Sequence, residues 1–297
     1  MSQVWTGGQH VVDWYREHAR DLPWRTDDRT PWGVLVSEVM LQQTPVARVE
    51  PVWRQWMARW PDPGDLAACD VADVLRAWGT LGYPRRALRL HAAANQIVEL
   101  HGGQVPDDEA GLAALPGVGA YTVAAVLAFA FGQRTVVLDT NVRRVLARAL
   151  TGQALPAPHA STAEYATAQS LLPADDAPTL SVALMELGSL VCTARTPRCP
   201  ECPLTSTCAW LDARCPPDAH AHRRRTQPWQ GTDRQARGRV MAALREACAP
   251  VPVADLSWPD PTQLTRCVAA LAADGLLVHD PVAATVRLPS NDDGPHE

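Results

Sequence analysis

The chain has 297 residues, 46% of them apolar and 20% charged, and a net charge of −5. That balance excludes disorder as the default state. It also excludes a protein that coats nucleic acid through bulk positive charge, so affinity for a polyanion has to come from a local face.

No apolar run reaches the roughly 20 residues of a membrane helix, and Met1 to His10 lacks the basic and apolar regions of a signal peptide, so a cytoplasmic protein with no membrane partner is expected. From Val11 to about Trp210, apolar residues recur at three- and four-residue spacing between Pro and Gly punctuation, which predicts successive helices and no strands. The clearest cover Val11 to Ala19, Pro31 to Gln43, Pro45 to Arg59, Val71 to Leu81, Arg85 to His101, Glu109 to Leu115, Ala120 to Phe131, Thr140 to Leu150 and Ala163 to Leu172. Pro216, Pro217 and the run His220 to Arg225 then read as a polar linker. Beyond it, helices over Arg237 to Ala249 and Pro261 to Ala273 precede two short apolar runs between Gly275 and Leu288, the order of a winged-helix-like module ending in a hairpin.

On the helix from Pro31, Glu38 shares a mainly apolar stripe with Val34, Leu35 and Leu41, so a carboxyl group faces inward. Burial disfavours the anion, which suits a general acid; a buried Glu satisfied by an amide or an Arg has the same signature. In Leu115-Pro116-Gly117-Val118-Gly119, two glycines free the backbone to turn, and the helix that follows at once presents amide hydrogens. Such a turn binds a phosphate without Lys or Arg, and equally serves as a plain connection. Asp139 stands where the N-cap of the Thr140 helix is expected.

Cys192, Cys199, Cys202 and Cys208 follow the spacing C-x6-C-x2-C-x5-C, whereas Cys69, Cys215, Cys248 and Cys267 are scattered. Four crowded thiols suit an iron-sulfur cluster or a structural zinc ion. Arg195 and Arg198, in the loop after the first ligand, point toward a phosphate or balance charge in solvent. Further basic groups able to follow a phosphate backbone are Arg85, Arg86 and Arg89, then Arg143 and Arg144, then Arg223 to Arg225, each run serving equally as solvated surface.

With these features, Leu22-Pro23-Trp24-Arg25, Ser37 to Thr44, Leu81-Gly82-Tyr83, Asp139-Thr140-Asn141-Val142 and Met185-Glu186-Leu187-Gly188 together resemble the MutY-type adenine DNA glycosylases of the helix-hairpin-helix, endonuclease three superfamily, over about residues 10 to 212. The resemblance implies an all-α glycosylase fold: a six-helix barrel carrying the hairpin over residues 28–133, and an iron-sulfur helical domain over 1–27 and 134–212. A linker at 213–232 and a small α+β module over 233–297 complete the expected organisation. It selects a [4Fe-4S] cluster over zinc at the four cysteines. It also implies a monomer acting at the nucleoid on double-stranded DNA with mismatched or damaged pairs.

By the same resemblance, Glu38 protonates adenine mispaired with guanine or 8-oxoguanine, and Asp139 stabilises the sugar cation, with Asn141 and Tyr121 in the catalytic pocket. Gln43 and Tyr83 wedge into the base stack. Trp24, Arg25, Leu41, Thr44 and Val46 line the substrate pocket, and Leu115, Gly117, Val118 and Gly119 hold DNA. Bifunctional relatives carry a lysine where Tyr121 stands, and every one of the 27 basic residues here is Arg, so base removal without a Schiff-base lyase step is expected.

The match departs from the family in three places. The tail is too short for the family's Nudix-like domain, which inspects 8-oxoguanine, so that task falls to the catalytic half and the small module. Val182 stands where the family tends to have Gln or Glu, and Pro84 where a small or aromatic residue is usual. A thymine or uracil mismatch glycosylase is the alternative within enzymes, and a noncatalytic, redox-sensing DNA-binding regulator the alternative outside them.

Overall fold

The computed structural model describes residues 5–223 and 229–293. Its helices are α1 (Thr6–His18), α2 (Pro31–Leu41), α3 (Val46–Arg59), α4 (Pro63–Ala67), α5 (Val71–Trp78), α6 (Arg85–His101), α7 (Glu109–Ala114), α8 (Ala120–Phe131), α9 (Thr140–Thr151), α10 (Thr162–Leu171), α11 (Ala177–Leu190), α12 (Ala209–Asp212), α13 (Asp233–Glu246) and α14 (Pro261–Ala273). Three short strands, β1 (Val251–Pro252), β2 (Val278–Asp280) and β3 (Thr285–Arg287), all fall in the C-terminal module. The chain forms two compact units, one of residues 1–31, 107–109 and 119–226, the other of 32–106, 110–118 and 227–297. Among the described residues no helix is long and apolar enough to cross a membrane.

In the first unit α1, α9 and α11 surround a core of Val11, Val142, Val145, Leu180, Leu184 and Leu187. Local chemistry sets the helix ends. The Asp139 carboxylate accepts the Val142 amide at 2.6 Å and caps α9, while Gly152 closes that helix in the left-handed conformation. Ser161 and Glu164 form a reciprocal capping box at the start of α10.

In the second unit the indole-rich centre of α3 and α5 holds Trp56 and Trp78, both fully buried and packed edge to face at 5.5 Å. Asp70 caps α5 through the Ala72 amide at 2.8 Å. The C-terminal module belongs to this unit. Its strand order is β1-β3-β2, antiparallel, with Val251 opposite Val286 and Val278 opposite Arg287, so helix, strand, helix and hairpin follow one another as in a winged helix. The strand β1 is two residues long, too short to show an alternating pattern, and the sequence pattern did not reveal it. Helix α4, a single turn opened by Pro63, was missed for the same reason.

The module is fixed to α5 and α6 by polar contacts. Arg245 donates to the Leu75 carbonyl at 3.1 Å, and Asn291 joins the Cys69 carbonyl and the Val71 amide at 3.2 and 3.1 Å. Asp274 takes both Arg85, at 3.1 Å, and Arg237. Arg85 thus helps to hold the module while its side chain stays largely exposed. Arg223 opens no longer basic run within view, because Arg224 and Arg225 lie outside the described residues.

Glu186 ties the first unit's N-terminal segment to α11. It is wholly buried and accepts Arg20 Nε at 2.6 Å, the Arg20 amide at 3.1 Å and Arg25 at 2.9 Å. Burial pushes its carboxyl upward, but the two guanidinium groups prevail and hold it down at about 2. Because the folded state lowers this acid, its stabilisation is complete above the unfolded carboxylate range and is lost as pH falls through that range toward 2. Glu186→Gln should therefore cost about 3 kcal/mol at neutral pH, with the deficit shrinking below about pH 4.5, in denaturant titrations of both proteins across that span.

Candidate active site

Glu38 sits in the middle of α2, where every residue from Trp32 to Met40 is buried, and is itself only 5% exposed. The apolar run around it keeps water from the carboxyl group. A helix of this composition is buried all round rather than on one stripe, so Glu38 is placed inward by its surroundings and not by periodicity alone.

Beyond α2 the backbone turns through Gln43, which is exposed and left-handed at φ 58°. Tyr83, 45% exposed, is left-handed too, at φ 48°. Non-glycine residues there carry strain of about 1 kcal/mol or more, so the surrounding structure has to impose it. Arg86 does so. Its guanidinium donates to the carbonyls of Val39, Met40 and Gln42 at 2.8, 2.9 and 2.6 Å, and to Gly82 at 3.0 Å. It also reaches the Thr44 hydroxyl at 3.0 Å, which itself donates to the Leu81 carbonyl at 3.1 Å. Gln43, Thr44 and Tyr83 are thus brought together around one buried cation, whose pKa burial lowers to about 10, leaving it charged at neutral pH. Arg86 is 7% exposed, so the expectation that it follows a phosphate backbone is corrected: the orphan carbonyls at the end of α2 claim it. Leu41 and Val46, at the borders of this turn, are half-buried.

The turn between α7 and α8 keeps Leu115 and Val118 buried and leaves Gly117 and Gly119 exposed, with the Val118 amide bonded to the Leu115 carbonyl at 3.2 Å. Gly117 is required twice over: its φ is +81°, and a Cβ there would lie 2.8 Å from Arg89 Cβ. Gly119 leads straight into α8 without a side-chain cap, which leaves the helix start open to an anion.

In the first unit Asp139 receives the Val142 amide and, at 2.7 Å, the Asn141 side-chain amide. Burial raises its carboxyl above the usual range, and these donors together with Arg144 draw it back toward the anion. Asn141 is oriented in turn by Arg144, which bonds its Oδ1 at 2.8 Å, the Gly188 carbonyl at 2.7 Å and the Cys192 carbonyl at 2.7 Å. A chain of hydrogen bonds therefore runs from the first cysteine of the cluster loop to Asp139. Arg144 is buried, and the expectation that it tracks phosphates is corrected; Arg143 is likewise spent, on Glu164 at 2.9 Å. Tyr121 is half-buried against Ala125, Ala128 and Val137. Trp24 is buried, and the Arg25 guanidinium is engaged by Glu186.

Cys192, Cys199, Cys202 and Cys208 line one hollow with Arg148, Val191, Pro197, Trp210 and Leu211. Arg148 is the charged group among them. It reaches Cys192 Sγ at 3.4 Å and the Thr193 carbonyl at 2.7 Å, and lies 4.6 Å from the centre of the Trp210 ring. Burial and the neighbouring thiols push Cys202 up to about 11. Among the described residues no three His, Cys, Asp or Glu side chains converge closely enough to hold a single ion. Arg198 pairs with Glu201 at 2.9 Å at the rim.

Sequence reasoning gave Arg86 and Arg144 to a phosphate backbone, passed over Arg148 and met Gly188 only within a family motif, since an Arg reads as surface and a helical Gly as a weak point. Glu186 did carry a signal, an acid within an apolar helix like Glu38. Gly188 matters because a Cβ there would lie 2.6 Å from Asn141 Cβ. Gly188→Ala should push Asn141 away from Asp139 and cost about 2 kcal/mol of stability, as read by denaturant titration of both proteins.

The HhH-GPD superfamily of base excision DNA repair proteins matches residues 36–171. The chain is 51% identical over 281 residues to the adenine DNA glycosylase of Mycobacterium tuberculosis (strain ATCC 25618 / H37Rv), covering 92% of each. It is 34% identical to a thymine-DNA glycosylase of Aeropyrum pernix, over 69% of this chain and 93% of that one. The solved structure of a thermostable thymine-DNA glycosylase overlays with a TM-score of 0.63 at 26% identity, covering 69% of this chain and 95% of that chain.

Proposed function

The chain belongs to the adenine DNA glycosylases of the HhH-GPD superfamily, and we propose that it removes adenine paired with guanine or 8-oxoguanine by hydrolysis, through Glu38 and Asp139. It is an adenine-specific glycosylase of base-excision repair. The observation that carries the reading of the site is Glu38, a carboxyl group sealed within an apolar helix. There it delivers its proton to the extruded purine, turning adenine into a neutral leaving group. Asp139 opposes the positive charge that grows on the sugar, and the Asn141 and Arg144 bonds keep it oriented for that role. The exposed turn at Gly117 and Gly119 and the open start of α8 receive the DNA backbone. Gln43 and Tyr83 fill the gap left by the flipped nucleotide.

The protein acts as a monomer on bacterial DNA in the cytoplasm. Four soft thiols around one hollow, on a compact loop, support a [4Fe-4S] cluster as the group they hold. The cluster would fix the loop from Cys192 to Cys208. Arg144 would pass that order to Asn141 and Asp139.

Purified anaerobically, the protein should contain about four irons per chain with a broad visible absorption, and Cys202→Ser should lose both. Zinc at one equivalent would overturn the cluster reading. Strand scission after alkali should follow incubation with duplexes carrying adenine opposite 8-oxoguanine or guanine, and fail with thymine or uracil opposite guanine. Glu38→Gln should lower the single-turnover rate by at least about 100-fold while leaving binding intact. Borohydride should trap no adduct, because the chain has no lysine to form one.

A further inference from the structure

The C-terminal module brings a second cation to Tyr83. Arg234, on the first turn of α13, holds its guanidinium 5.3 Å from the centre of the Tyr83 ring and 5.0 Å from the centre of the Trp229 ring. Both rings are exposed, Trp229 by 53%. The segment is held in place rather than trailing: Thr232 caps α13 and donates to the Trp229 carbonyl at 2.7 Å, and Gln263 of α14 donates to the Gly231 carbonyl at 3.1 Å.

Among the described residues, three neighbouring cations are already engaged. Arg85 and Arg237 share Asp274, and Arg86 is consumed by backbone carbonyls. Arg234 has no carboxylate partner among the described residues and lies in solvent between two aromatic faces. In a chain with net charge −5, an unpaired guanidinium interleaved with exposed rings is the chemistry that receives a nucleobase face and the phosphate beside it.

We propose that Trp229, Arg234 and Tyr83 form one platform that grips the DNA strand opposite the extruded adenine, so that the C-terminal module reads the widowed base pair together with the catalytic half. The proposal rests on the reading that Tyr83 enters the base stack. It assigns the module a positioning role: Arg234 braces the strained Tyr83 and adds its own contact to the strand. A purely structural contact would glue the module to the loop and give no preference among duplexes.

The test measures binding by fluorescence anisotropy with the full chain. One duplex carries a non-hydrolysable abasic analogue opposite 8-oxoguanine and the other is fully paired. Arg234→Ala should lose about tenfold in affinity for the first and no more than about twofold for the second. Arg239→Ala, which removes an exposed charge elsewhere on α13, should change both by no more than about twofold, and Arg234→Lys should recover part of the loss. The single-turnover rate of Arg239→Ala at saturating protein should stay within about twofold of the parent. Equal losses on the two duplexes, or a loss no greater than that of Arg239→Ala, overturn the platform. If Tyr83→Ala weakens abasic-duplex binding and Arg234→Ala does not, the platform alone fails. If Tyr83→Ala has no effect, the wedge reading beneath it fails.

Discussion

The Arg86 guanidinium is the constraint on which the exposed half of the site depends. An α-helix ends with carbonyls that have no partner within it, and those of Val39 and Met40 at the end of α2 are buried, where a guanidinium supplies one. A planar cation with five N–H groups can satisfy several carbonyls at once, which an ammonium or an amide cannot do from a fixed position. By drawing Val39, Met40 and Gln42 to one side and Gly82 to the other, it sets the spacing of two turns far apart in sequence. The cost is a buried charge without a carboxylate, offset by carbonyl dipoles and by the Trp78 ring 5.1 Å away.

Arg144 repeats the device in the first unit, and Arg148 follows one turn later on α9. The two reach the backbone of Cys192, Thr193 and Gly188, so a single helix positions both the cysteine loop and the acid at its own N-terminus. In a chain whose cations are all Arg, these buried forks do much of the cross-linking that a disulfide or a larger apolar core would otherwise supply. They also divide the cations into those consumed by structure and the few left for a polyanion, which is why net charge is a poor guide to where DNA is held.

The candidate site features legible in the sequence were those that break a local rule. Glu38 stood out as an acid in an apolar run, Gly117 and Gly119 as paired turn residues, and the cysteines by their crowding. Most helices of the first 200 residues followed from apolar spacing, α4 and α11 excepted, with ends displaced by a residue or a few; α2 stops at Leu41, before the left-handed turn through Gln43. What escaped was whatever obeys a local rule while serving a distant partner. Arg86 and Arg144 sit in Arg-Arg pairs that read as solvated, and only the fold reveals that one member of each pair turns inward. Gly188 resembles any helical glycine until Asn141 is seen against it. The pairing of β1 with β3 depends on contacts between residues more than 30 apart, for which two residues of local pattern give no warning.

The left-handed backbone at Gln43 and Tyr83 has an evolutionary corollary. Glycine would relax either turn at no steric expense, yet it would delete a side chain that we propose enters the base stack. Substitutions that make these loops sturdier are thus the ones that blunt the protein, and selection for thermal robustness alone would drift toward an inert scaffold. Whatever tolerance the fold has for that tension must be supplied from Arg86, which makes one buried guanidinium the gatekeeper of how much innovation the two loops can bear.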